Sequence, residues 1–78
     1  MEYDKDKVDE MTLALLYLGL SRIQGGGRAW KAFDLQTLSR LHKKGWLAEP
    51  RIKDISVAVT EAGVKKSEEL FKLHFQRN

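Results

Sequence analysis

The side chains with the greatest chemical reach lie between Asp34 and Lys53. Gln36, Ser39, Arg40, Lys43 and Lys44 fall along one side of a segment with helical period, and Arg51 and Lys53 follow in a short basic loop. Arginine can bond guanine through two parallel hydrogen bonds and glutamine can do the same for adenine, while serine, threonine and lysine reach phosphates. On one helix face these residue types point to contact with duplex DNA. The plainer reading is a solvated face whose lysines suit the negative end of the helix dipole. For this face alone the two readings balance.

Other chemistries find no support in the residue pattern. Ser21, Ser39, Ser56 and Ser67 lie in no nucleophile motif. His42 and His74 fall on separate segments without a cysteine, histidine or acid at metal spacing, so both are read as partly buried packing residues. With no cysteine there is neither a disulfide nor a thiolate ligand. No catalytic group, metal or cofactor is expected, and the chain is not read as an enzyme. Gln24-Gly25-Gly26-Gly27-Arg28 lacks the strand, the Gly-Lys-Ser/Thr and the helix of a phosphate-binding loop, and reads as a flexible connector. Arg28, Trp30 and Lys31 make a small cation-and-aromatic cluster, with Trp30 assigned to the core.

The elements that must position these groups are legible from caps and periodicity. Asp4 caps a first helix, with Tyr3 and Val8 at staple positions and Asp6, Asp9 and Glu10 near the positive end of its dipole. Met11 to Leu20 is apolar almost all round, as in a central helix or a dimer face, and the helix is predicted to end near Ile23. Arg28 to Phe33 is either one helical turn or a short edge strand, with Trp30 and Phe33 inward. Asp34 caps a second helix over 34–44, with Phe33 and Leu38 as its staple, and Gly45 ends it in the left-handed conformation. Leu35, Leu38 and Leu41 form its apolar arc, with His42 beside them. Gln36, Thr37, Ser39, Arg40, Lys43 and Lys44 lie opposite.

Trp46–Glu49 and Ile55–Val59 read as paired strands, ended on one side by Pro50, with loop 50–55 as the hairpin tip or wing. Ile55, Val57 and Val59 share the buried face. Thr60 caps a last helix with Glu61 in its first turn. Val64, Leu70, Phe71 and Phe75 line its inner face, with Lys65, Lys66, Glu69 and Lys72 in solvent.

Seventy-eight residues form one small domain, 1–78, which buries only about 60–65% of its unfolded surface. Self-association is one of the few routes left to reinforce such a core. The net charge of +3 is unevenly placed: residues 1–19 carry −3, residues 20–53 carry +6, and the remainder is neutral. A basic middle is the electrostatic outline of a nucleic-acid binder. No apolar run approaches the roughly 18 residues of a membrane span, and the acidic start does not resemble a signal peptide. Cytoplasmic location and no membrane partner are the default expectations.

The run Leu38-x-x-Leu41-x-x-x-Gly45-Trp46-Leu47, followed by Val57-x-Val59-Thr60-x-x-Gly63, resembles the recognition-helix, wing and closing-helix pattern of bacterial winged helix-turn-helix proteins. The whole chain also looks like a small uncharacterised bacterial family of this length. Its landmarks here are Leu13 to Leu18, Arg28 to Asp34, Arg40-Leu41-His42-x-x-Gly45, and Ser56 to Thr60. One departure stands out. Such modules carry a positioning helix before the recognition helix, whereas here only residues 24–33 are free for it, and three of those are glycine.

The expected fold is therefore α+β and winged-helix-like: a long helix, a short connector, a recognition-like helix, a β-hairpin wing and a C-terminal helix. The expected function is that of a small DNA-binding protein, serving as a transcriptional regulator, with the first or last helix as a homodimer face. Gln36, Ser39, Arg40, Lys43 and Lys44 face the duplex, and Arg51 and Lys53 touch phosphates. On this reading, glutamates at 40 and 43 abolish binding and leave the domain folded. The alternative is an interaction module without DNA binding, whose apolar surface comprises Leu16, Leu20, Trp46, Leu73 and Phe75.

Overall fold

The computed structural model describes residues 1–30, 34–51 and 53–77. Three helices and a three-stranded antiparallel sheet make an α+β architecture: α1 (Lys5–Leu16), β1 (Ser21–Ile23), β2 (Gly26–Trp30), α2 (Leu35–Lys43), β3 (Ser56–Thr60) and α3 (Glu61–Phe75), with a 3₁₀ turn at Tyr17–Gly19. The strands run in the order β1-β2-β3.

The helix starts follow local chemistry. Asp4 accepts from the Lys7 amide at 3.0 Å, Asp34 from the Thr37 amide at 3.0 Å, and Thr60 Oγ1 from the Gly63 amide at 3.0 Å. Gly45 stops the chain after α2 with φ +84°. Leu13, Leu38, Leu41, Leu47 and Val57 are almost fully buried, and α1 packs on both α2 and α3 to enclose them.

Between α1 and α2 the structure departs from expectation. The first helix does not reach Ile23: it tightens at Tyr17, and Ser21–Ile23 turns extended to pair with β2. The glycines are not a flexible connector. Gln24 and Gly25 form a two-residue hairpin loop in which Gly25 takes φ +82°, and Gly26 and Gly27 lie within β2. Gly26–Trp30 is the central strand, with Ala29 buried and Trp30 facing away from the helices, 66% exposed. The inward placement of Trp30 is thus corrected: strand alternation puts Gly27 and Ala29 on the helix side and Arg28 and Trp30 on the other. Lys31, Ala32 and Phe33 lie outside the described residues, and with them the expected Phe33 staple and the cationic part of the Lys31 cluster.

The wing hairpin is also reduced. The ladder partner of β3 is β2, in register from Gly26↔Thr60 to Trp30↔Ser56. The 46–49 segment adds one bridge, Leu47↔Val59, with the Ala48 amide on Ala58 O at 2.9 Å and the Thr60 amide on Trp46 O at 3.1 Å. Pro50 has no amide with which to extend that pairing. Val57 and Val59 face inward as expected, but Ile55, one residue before the start of β3, is 70% exposed.

On α3, Leu70 is buried, Val64 and Phe71 are half-buried, and Gly63 and Ser67 complete the inner line. Phe75 is 43% exposed, with its ring centre 5.4 Å from that of Phe71, and Lys66 is half-buried, both against expectation. Leu35, assigned to the apolar arc of α2, is exposed. Among the described residues no helix is long and apolar enough to cross a membrane.

Candidate functional site

The second helix divides its polar residues between two sides. Thr37, Arg40 and Lys44 share a line at spacings of three and four, and this line faces α1. Its anchor is Asp9, wholly inaccessible to solvent. Arg40 Nε donates to both Asp9 carboxylate oxygens at 2.9 and 3.1 Å, and Nη2 stands 2.8 Å from Oδ1. Lys44 Nζ donates to Asp9 Oδ2 at 2.9 Å and to Asp6 at 3.2 Å. Arg40 also donates to Thr37 Oγ1, which in turn donates to Asp34, each at 3.0 Å. One continuous network therefore runs from the α2 cap to the α1 acids.

A buried carboxylate is tolerated only when paired and hydrogen-bonded, and two cations from α2 meet that need. Lys44 is held above its ordinary 10.5 chiefly by its bond to Asp9, against the opposing effect of burial, with Asp6 adding to the rise. Lys44 and Lys66 also place their ammonium groups 5.7 and 5.9 Å from the Trp46 ring centre.

The seven sequence-predicted contact residues thus separate. Gln36, Ser39 and Lys43 are exposed, with no hydrogen bond or ion pair among the described residues. Arg40 and Lys44 are drawn into the Asp9 network. Arg51 and Lys53 are exposed in the loop before β3. Arg51 lines a cleft of about 360 Å³ with Arg28, Glu49, Asp54 and Ser56. A glutamate at 40 would face buried Asp9, so the expectation that the 40/43 double exchange leaves the domain folded is corrected.

Sequence reasoning missed Asp9, reading it only as a dipole-favouring acid. The signal was present: Asp9, Thr12, Leu13 and Leu16 follow the i, i+3, i+4, i+7 spacing of a single buried stripe. An acid on an apolar stripe demands a partner.

Of the two histidines, His42 is exposed, and its Nδ1 lies 2.9 Å from Leu47 O. A carbonyl only accepts, so that nitrogen carries the proton. His74 is half-buried, with Nε2 buried and unpartnered among the described residues. Across the molecule, Glu68 is held below its usual range by Lys72 and, to a lesser degree, by Arg22, whose 3.2 Å ion pair ties β1 to α3. Of the apolar surface expected for an interaction module, Leu16 is buried and Leu20 and Trp46 are half-buried. Leu73 and Phe75 are exposed, as are Leu15 and Leu18.

A family model described as "Domain of unknown function (DUF6429)" matches residues 4–77. A relative in Sinorhizobium fredii (strain NBRC 101917 / NGR234), "Uncharacterized protein y4hR", is 44% identical over 77 residues, covering 99% of this chain and 100% of the relative. No solved structure matches.

Proposed function

The chain belongs to the DUF6429 family, a small bacterial family, and we propose that it is a duplex DNA-binding protein on a winged-helix-like scaffold. One observation carries the reading. Gln36, Ser39 and Lys43 stand exposed on α2, their side chains without a hydrogen bond or ion pair among the described residues, while the adjoining flank of that helix is clamped through Arg40 and Lys44 to Asp9. A rigid helix presenting an amide, a hydroxyl and an ammonium suits insertion beside base edges and phosphates. The winged-helix-like arrangement draws support from the order β2, β3, Leu47 across the sheet, with α2 preceding the Leu47 segment and loop 50–55 leading into β3. Arg40 and Lys44 act here as positioning residues. Arg51 and Lys53 remain the groups for neighbouring phosphates.

The test is fluorescence anisotropy of labelled random duplex DNA at roughly 50 and 200 mM salt. Micromolar binding that collapses at the higher salt, and that weakens in Lys43→Glu with an unchanged circular dichroism spectrum, supports the reading. No binding at the lower salt removes it.

A second reading, an interaction module that binds no DNA, rests on the exposure of Leu18 and Leu73, 69% and 72%. It requires a complex larger than 9.0 kDa in solution.

A further inference from the structure

The face of the sheet turned away from the helices carries a group of residues that α2 does not use. Arg28 and Trp30 project there from the central strand, beside Ser21 of β1 and Ser56 of β3. Trp30 is 66% exposed. It forms a wall of a cleft of about 280 Å³ lined also by Gly19, Ser21, Arg28, Ala29 and Ser56. Arg28 is held in place from below: Nε donates to Ser56 Oγ at 2.9 Å and Nη2 to Ser56 O at 3.3 Å, with Asp54 only at 3.9 Å.

We propose that this cleft binds one nucleotide unit of a single-stranded nucleic acid, with the base stacked on Trp30 and the phosphate on Arg28. The wall chemistry selects that occupant. An indole, a guanidinium and two hydroxyls line the cleft, and among the described residues no carboxylate does, so its charge complements a phosphate. Glu49 and Asp54 belong to the neighbouring cleft beyond Arg28. The volume falls just below the roughly 300–1,000 Å³ of pockets that enclose a whole ligand, which suits one unit of a longer chain. A flat indole next to a cation is the arrangement by which proteins hold single strands without sequence preference. Duplex DNA keeps its bases stacked and offers no free face to Trp30, so this surface is distinct from α2 and independent of the duplex reading.

Trp30 is its own reporter. In full-length Trp46→Phe, with its fold checked by circular dichroism, Trp30 is the sole tryptophan. A thymidine 12-mer titrated at about 50 mM salt is expected to quench its emission, and thymidine monophosphate to do so only at far higher concentration. In the otherwise wild-type chain, Trp30→Ala should bind the labelled 12-mer about 5- to 150-fold more weakly, the range for loss of one base stack. It should leave binding through α2 unchanged. Equal 12-mer affinity in Trp30→Ala overturns the proposal even if Trp46→Phe fails to fold, as does an unquenched Trp30. Thymidine monophosphate saturating as tightly as the 12-mer would make this a free-nucleotide site and overturn the assignment to a strand. Emission that changes on dilution without nucleic acid would show a second copy covering the face, and would overturn it too.

Discussion

Truncating Arg40 to alanine removes three close approaches to Asp9 and one hydrogen bond to Thr37 at once. Asp9, fully buried in the intact protein, then keeps Lys44 as its one ion-pair partner among the described residues. Breaking a buried pair by deleting one partner costs about 3–5 kcal/mol, mostly the penalty of the carboxylate left behind. A chain of 78 residues has a total stability of roughly 4–12 kcal/mol at the usual per-residue value. In a domain of this size each kcal/mol shifts Tm by about 4–8 °C, so the expected fall is roughly 12–40 °C. Thermal melts by circular dichroism, with urea titrations at 25 °C, measure it. Arg40→Lys keeps the charge but loses the fork, and should fall between wild type and alanine. The double exchange Asp9→Leu with Arg40→Met removes both members of the pair and should recover most of the loss. An Arg40→Ala protein melting within about 4 °C of wild type, under roughly 1 kcal/mol, would refute the description of Asp9 as a buried charge dependent on α2.

Lys43→Glu should leave Tm within a few degrees, because Lys43 is exposed, and should lower the salt slope of duplex binding by about one as one phosphate contact is lost. Lys44 holds its proton more tightly folded than unfolded. Its contribution is therefore complete below about pH 10.5 and fades as pH rises through the higher folded value, so in urea titrations between about pH 9 and 12 Lys44→Gln should lack that alkaline component. A Cβ at Gly63 would collide with the Trp46 carbonyl. Gly63→Ala should cost about 1–3 kcal/mol in urea unfolding, despite alanine's better helix propensity. Thr60→Ala removes both the α3 cap and the 2.7 Å bond to Gly45 O, and should cost about 1–2 kcal/mol by the same measurement.

Local signals wrote much of this protein into its sequence. Asp4, Asp34 and Thr60 cap their helices, and Gly45 ends α2, because a cap is decided within four residues of chain. The inward alternation of Val57 and Val59 was legible for a similar reason, since strand period is a property of the local backbone. Tertiary contact decided the rest. Ser21–Ile23 and Gly26–Trp30 became strands because a hairpin could close at Gly25 and then pair with β3, some thirty residues away. That pairing turned Trp30 outward. Arg40 and Lys44 look like surface cations in any window of sequence, and their commitment to Asp9 depends on α1 lying against α2, thirty-one and thirty-five residues apart along the chain. Periodicity assigns a side chain to a face of its own element; which neighbour that face meets, and whether a charge there is free or spent on a buried partner, is settled only when the elements pack.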